Sequence, residues 1–177
     1  YKKQIPYSAK GIAEIASKFS WPYGYPSHSN PSAPGVILEG GELGYALSTA
    51  YGSAFDNPEL ITVCLIGDGE AETGATATAW HGNKFLDPKT CGAVLPILHV
   101  NGYKISGPTV FGRMSNKELE ALFYGYGYLP IIVEGSNPYR AMRKAMERAY
   151  SEIKSIQNKA RTKTRPLVSP RFPMIVL

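Results

Sequence analysis

Residues 61–74 read ITVCLIGDGEAETG, and their order fixes where the chain must be buried and where it must turn. The run Ile61 to Ile66 is apolar and β-branched in character, the pattern of a strand inside a parallel sheet rather than of a half-wetted one. Gly67-Asp68-Gly69 then turns the chain, and Asp68, Glu70 and Glu72 crowd three carboxylates directly behind it. Negative charge at that density beside a core strand calls for a counterpart.

The flanking segments supply the rest of an α/β unit. Upstream, EGGELGYALSTAYGSAFDNP (39–58) carries Leu43, Ala46, Leu47, Ala50 and Ala54 at helical spacing, and Pro58 ends the stripe. Downstream, ATATAWHGNKFL (75–86) reads as a second helix and AVLPILHV (93–100) as a second buried strand. Ser115-x-x-Glu118 forms a capping box for a helix through Phe123 that Gly125 would stop, and a third strand is expected near 130–134.

Asn137-Pro138 opens a long helix with Tyr139, Met142, Met146, Ala149, Ile153 and Ile156 on one face. Strand and helix alternate as in a parallel α/β sheet. PMIVL (173–177) looks like the first part of another buried strand, so the sequence is expected to be a piece of a longer chain. WPYGYPSHSNPSAPG (21–35) is too rich in Pro and Gly for a helix or central strand, and 1–35 as a whole reads as an irregular lead-in and loop.

With 177 residues, 44% hydrophobic and 19% charged, one globular unit is expected. No apolar run approaches the ~20 residues of a membrane span. The opening YKKQIPYSAK has neither the apolar core nor the cleavage site of a signal peptide, and Cys64 and Cys91 make no disulfide framework, so a reducing, cytoplasmic setting is expected.

The net charge of +5 is unevenly placed: ten Lys and Arg face two Asp and Glu from Asn137 onward, whereas the preceding residues hold nine and twelve. That excess belongs to one helix and its tail. It reads as a solvated face, and no aromatic-interleaved basic motif points to nucleic acid.

In open parallel sheets, ligands bind beyond the carboxyl ends of the strands. Two apolar runs end in suitable groups, 61–66 in Gly67-Asp68-Gly69-Glu70 and 93–100 in Asn101-Gly102-Tyr103. If these strands are neighbours, Asp68 and Asn101 converge. Their side-chain oxygens, with a backbone carbonyl near Tyr103, make a hard-oxygen set suited to Mg²⁺ or Ca²⁺ with positions left for phosphate. Gly67 and Gly69 let backbone amides approach an anion, and the next helix would add its N-terminus. A GDG triplet is also a common tight turn, and Glu70 and Glu72 are at home in a helix's first turn. The paired Asn-Gly is what favours a ligand site.

Gly67-Asp68-Gly69 with Asn101 downstream, at a spacing slightly longer than in most members, resembles the thiamine diphosphate signature. PSHSNPSAPG, EGGELGYALS, GDGEAETG, WHGNKFLDP and VLPILHVNGYKISGPT together resemble phosphoketolase from about Trp21 to Gly135. Transketolase shares the GDG logic but not EGGELGYALS or GDGEAETG. A transketolase-type ketol transferase and a non-catalytic assembly module are the alternatives.

The resemblance implies a three-layer α/β/α thiamine diphosphate-binding fold, with residues 1–177 as the diphosphate-binding domain of a longer multidomain chain. It also implies cleavage of xylulose 5-phosphate or fructose 6-phosphate with inorganic phosphate to acetyl phosphate and an aldose phosphate. Asp68, the Asn101 side chain and the Tyr103 carbonyl would hold Mg²⁺, with Gly67, Gly69 and Glu70 against the diphosphate. Gly41 and Glu42 would lie near the reactive rings of the cofactor, and His28 would be the active-site histidine. The glutamate that activates the cofactor would come from a pyrimidine-binding domain of the same or a partner subunit, in a homodimer or larger homo-oligomer without nucleic-acid or membrane partners.

Leu38 and Thr49 stand where bacterial members carry histidine, which implies a divergent branch. The remaining single residues have plainer readings. His99 reads as a hydrogen-bonded core histidine, His81 as structural and Cys64 as a small core residue. Lys104 is near enough to meet phosphate, and Glu72 reads as no more than a first-turn helix acid.

Overall fold

The computed structural model describes residues 5–162, 167 and 170–177, and residues 163–165 of the basic stretch lie outside them. The chain divides into two compact units, Tyr1–Leu43 and Gly44–Leu177, each described by itself.

Among the described residues, the main sheet of the second unit has four strands, β1 (Ile61–Gly67), β2 (Ala93–His99), β5 (Tyr128–Ile132) and β6 (Phe172–Val176), and a separate hairpin carries β3 (Tyr103–Lys104) and β4 (Gly107–Pro108). The four lie in the order β1-β2-β6-β5, and every pairing is parallel. The α/β expectation and its parallel sheet are thereby met, and PMIVL does enter a strand, since its first four residues lie in β6, which is buried on every residue between β2 and β5. Because the chain steps from β2 over to β5 and returns to β6, the strand order reverses beside β2.

Side chains of β2 alternate between two cores, as a pleated strand requires. Val94 and Leu98 join α2 (Ala46–Ala54) and α5 (Asn116–Tyr126) around Leu47, Trp80 and Phe123. Leu95 and Ile97 join α6 (Pro138–Thr162) around Ala149 and Ile153. Helices therefore cover both faces of the central strands.

Strand β1 differs from its expected burial. Cys64 and Ile66 are buried toward α2, but Val63 and Leu65 on the other face are 50% and 67% exposed. Its apolar run nevertheless forms a strand because it pairs in seven-residue register with β2, from Ile61↔Ala93 to Gly67↔His99.

Helix boundaries shift for identifiable reasons. The stripe predicted from Leu43 begins at Ala46, leaving Leu43 exposed. The segment 75–86 is not one helix: α4 (Gly74–Ala79) passes into a 3₁₀ turn at Trp80–Phe85. The Ser115–Glu118 capping box forms, but α5 continues past Gly125 to Gly127, whose φ of +98° supplies the left-handed cap. Helix α6 starts at Pro138 with the Asn137 side chain accepting from the Arg140 amide at 3.0 Å, and Tyr139 is exposed rather than on the buried stripe.

Within the first unit, the described residues of the stretch expected to be irregular include a helix. Residues Ala9–Lys18 form helix α1, whose Ser8 side chain accepts from the Gly11 amide at 3.2 Å. This Ser8 cap was a legible helix start, and the Pro/Gly-rich segment begins only after it.

Candidate functional site

The register of β1 and β2 brings their carboxyl ends level, Gly67 beside His99, so the GDG turn and the Asn-Gly-Tyr turn emerge together. Asp68 is 1% exposed. Its Oδ2 accepts from the Gly102 amide at 2.8 Å and from Thr109 Oγ1 at 2.7 Å, while Oδ1 accepts from the Gly69 amide at 3.0 Å. Asp68 therefore meets the second turn at Gly102, whereas the Asn101 side chain, expected to converge with it, bonds within its own turn. Gly102 makes that turn with a φ of +84°, a conformation costly for any residue with a Cβ.

Asn101 Oδ1 accepts from the Tyr103 amide at 3.0 Å, closing the turn on itself. Residues Tyr103–Lys104 and Gly107–Pro108 form a small antiparallel hairpin, β3 and β4. The hairpin presents an exposed Tyr103.

Among the described residues no three His, Cys, Asp or Glu side chains gather to hold a metal. Asp68 keeps carboxylate lone pairs beyond its three donors, and Asn101 and Tyr103 carry further oxygens on the neighbouring turn, all of the hard-donor type that suits Mg²⁺ or Ca²⁺.

The helix after GDG is shorter than predicted. A single turn, α3 (Asp68–Ala71), breaks before α4 begins at Gly74. Glu70 Oε1 accepts from the Gly44 amide at 2.9 Å, which ties the end of EGGELG to the GDG turn inside the second unit. Glu72 is not simply a first-turn acid. Its Oε1 binds Lys104 Nζ at 2.8 Å, and Oε2 accepts from the amides of Val110 at 2.6 Å and Phe111 at 3.2 Å. Burial pushes this carboxyl up, but the Lys104 hydrogen bond and the two amides outweigh it and hold it below the ordinary glutamate value. Lys104 is accordingly paired with Glu72.

The first unit brings His28, Gly41 and Glu42 together. Glu39 places both carboxylate oxygens 2.9 Å from the Gly41 amide and Oε2 3.2 Å from the Glu42 amide, and its Oε1 stands 3.7 Å from His28 Nδ1. Ser29 O accepts from the Gly40 amide at 2.7 Å. A Cβ at Gly41 would sit 2.5 Å from His28 Nδ1 and 2.9 Å from Glu39 Oε1, so any other residue there would displace these side chains. His28 is 70% exposed. Leu38 is half-buried in this unit, and Thr49 half-buried on α2.

Sequence reasoning missed Glu39, Glu72 and Thr109. The EGGE turn carried a signal for Glu39, a carboxylate two and three residues before amides it could cap. His99 is exposed, against the core position expected for it. His81 packs its ring edge-on against Tyr126 at 5.0 Å, a structural contact as expected. Cys64 is buried, and burial pushes its thiol up to about 12.

The sequence pattern of the XFP N-terminal domain matches residues 1–177. The chain is 54% identical over 176 residues to a probable phosphoketolase of Rhodopseudomonas palustris (strain HaA2), covering 98% of this chain and 22% of that protein. It is 55% identical over 180 residues to a probable phosphoketolase of Gloeobacter violaceus (strain ATCC 29082 / PCC 7421), covering 100% and 23%. A probable phosphoketolase of Chlorobaculum tepidum (strain ATCC 49652 / DSM 12025 / NBRC 103806 / TLS) is 54% identical over 179 residues, covering 99% and 22%. The chain spans about a fifth of the length of these relatives.

Proposed function

The chain belongs to the XFP N-terminal domain family, and on that ground we propose that it is the diphosphate-binding part of a thiamine diphosphate- and Mg²⁺-dependent phosphoketolase. The intact enzyme would split xylulose 5-phosphate or fructose 6-phosphate with inorganic phosphate, giving acetyl phosphate and an aldose phosphate. The observation that carries this reading is the buried Asp68 carboxylate, held by Gly102 and Thr109 where two neighbouring parallel strands end.

When bound, thiamine diphosphate supplies the electron sink for breaking the carbon–carbon bond beside the ketose carbonyl. The residues of this chain hold and orient it. Asp68, Asn101 and the Tyr103 carbonyl would take Mg²⁺, and Gly67, Gly69 and Glu70 would lie along the diphosphate. Fixing one end of a cofactor converts a floppy encounter into a reproducible geometry. Gly41 and Glu42 would meet its rings, and His28 would exchange a proton at its imidazole, the side chain suited to that task near neutral pH.

The glutamate that activates the cofactor would belong to a pyrimidine-binding domain elsewhere in the same or a partner subunit of a homo-oligomer. On this reading the 177-residue piece alone is inactive. No helix among the described residues is long and apolar enough to cross a membrane, and a cytoplasmic setting accords with the two free cysteines.

Calorimetric titration of the full-length enzyme with thiamine diphosphate and Mg²⁺ tests the clamp. Asp68→Ala and Asn101→Ala are expected to weaken binding sharply, and unchanged affinity in both would reject it. Acetyl phosphate production from xylulose 5-phosphate and phosphate by residues 1–177 alone would reject the assignment to a part of a larger active unit.

A further inference from the structure

Asp68 and Glu72 stand at the two ends of one helical turn, with the Glu72 amide bonded to the Asp68 carbonyl at 3.3 Å. Both side chains reach the same stretch, residues 102–111. Asp68 grips it at Gly102 and Thr109, and Glu72 grips it at Lys104, Val110 and Phe111. Two of the three grips of Glu72 are next in sequence to a group of interest: Lys104 follows Tyr103, and Val110 follows Thr109. Thr109 is wholly buried, and its Oγ1 also accepts from the Gly112 amide at 3.0 Å, so the turn that presents its hydroxyl to Asp68 is braced on both sides.

We propose that Glu72 is a positioning residue for the cation and diphosphate site: it clamps 102–111 onto the GDG turn so that Asp68 and the Tyr103 carbonyl are set before any ligand arrives. The inference rests on the reading of Asp68 as a metal ligand. A carboxylate is the side chain the geometry requires. One oxygen faces an ammonium group and the other faces two amides, so all three partners are donors. Glutamine would offer one acceptor oxygen and turn an NH₂ toward donors. Outer-shell partners of metal ligands commonly contribute 10- to 100-fold in affinity because they fix the ligands' orientation.

The test uses the full-length enzyme and Glu72→Gln. Hydrogen exchange at the Val110 and Phe111 amides is expected to accelerate while exchange in β2 stays at the wild-type rate. Affinity for thiamine diphosphate with Mg²⁺ is expected to fall by ~10-fold or more, with turnover recovering as the cofactor is raised toward saturation. A purely structural role would instead speed exchange in β2 and leave turnover low at saturation, which overturns the proposal. Affinity equal to wild type overturns it as well, whatever the exchange shows. Should Glu72→Gln not fold, Glu72→Asp, one methylene too short to reach all three donors, is read by the same criteria. A wild-type enzyme that fails to bind Mg²⁺ with the cofactor removes the reading of Asp68 and this inference with it. A wild type that binds beside a variant that binds equally well removes the role of Glu72 alone.

Discussion

The surroundings of Asp68 and of His28 are organised in opposite ways. Asp68 is buried and is held by groups 34 and 41 residues away in sequence, which only the parallel pairing of β1 and β2 brings within reach. His28 is exposed, and the order around it is local: Glu39 caps amides two and three residues ahead, and Gly41 packs on the imidazole. The first arrangement depends on the fold of the whole second unit, whereas the second depends on two loops. Perturbing Asp68 should therefore disturb stability and binding together, and perturbing the His28 loop should leave stability almost untouched.

The largest effect is expected at Asp68 itself. Asp68→Ala in the full-length enzyme should weaken Mg²⁺-thiamine diphosphate by at least ~100-fold, the upper end of what misorienting a metal ligand costs. It should also lower stability, since each buried donor left unsatisfied costs about 1–3 kcal/mol and Thr109 loses its acceptor. Calorimetry and urea denaturation separate the two losses. Weakened binding at unchanged stability would break the comparison, because the carboxylate would then serve the ligand alone.

A second variant isolates the fold from the site. Tyr128 Oη donates to the Trp80 carbonyl at 2.9 Å and pairs with the Tyr51 hydroxyl, deep in the core between α2 and β5. Burial is the leading cause that pushes both phenols well above the usual tyrosine range. Tyr128→Phe should cost about 1–3 kcal/mol by leaving the Tyr51 hydroxyl and the Trp80 carbonyl short of partners. Cofactor affinity should stay at the wild-type value, and a parallel loss of affinity would show that the strand-end site has no independence from the core.

How much of this was readable in advance follows the same division. GDG and Asn101-Gly102-Tyr103 were legible because strand ends in a parallel sheet announce themselves locally, by an apolar run followed by Gly and a short polar residue. The roles of Glu72 and Thr109 were not, since nothing near Glu72 in sequence indicates that its partners lie at 104, 110 and 111. The exposed face of β1 escaped for a related reason: an apolar run reports that a strand forms, but not which of its faces a helix covers. Helix ends shifted where one glycine was preferred to another, Gly127 over Gly125, because only the chain geometry reveals which one turns left-handed.

A smaller effect is expected from acid. Glu72 titrates below its ordinary value of 4.5, so near that pH the unfolded chain binds more protons at this position than the folded one. Its contribution to stability is then fully present above 4.5 and is lost as pH falls through the lower folded value. Urea midpoints of wild type and Glu72→Gln, measured from neutral pH downward, should differ at neutral pH and converge in acid. A constant difference would mean that the carboxylate's charge is not what holds the 102–111 segment.

The smallest effect is expected at Glu39, and it bears most directly on the contrast between the two regions. The Glu39 side chain is 45% exposed, and its bonds close turns no longer than three residues. Glu39→Ala should therefore shift stability by no more than ~0.5 kcal/mol, the range of surface substitutions. Activity of the full-length enzyme should nevertheless fall, because the EGGE turn loses the carboxylate that fixes Gly41 and Glu42 and that stands beside His28. Full activity in this variant would mean that the amides of the EGGE turn need no fixing. A stability loss of several kcal/mol would show instead that the His28 loops are held by long-range contacts as firmly as Asp68, and the two regions would no longer differ in kind.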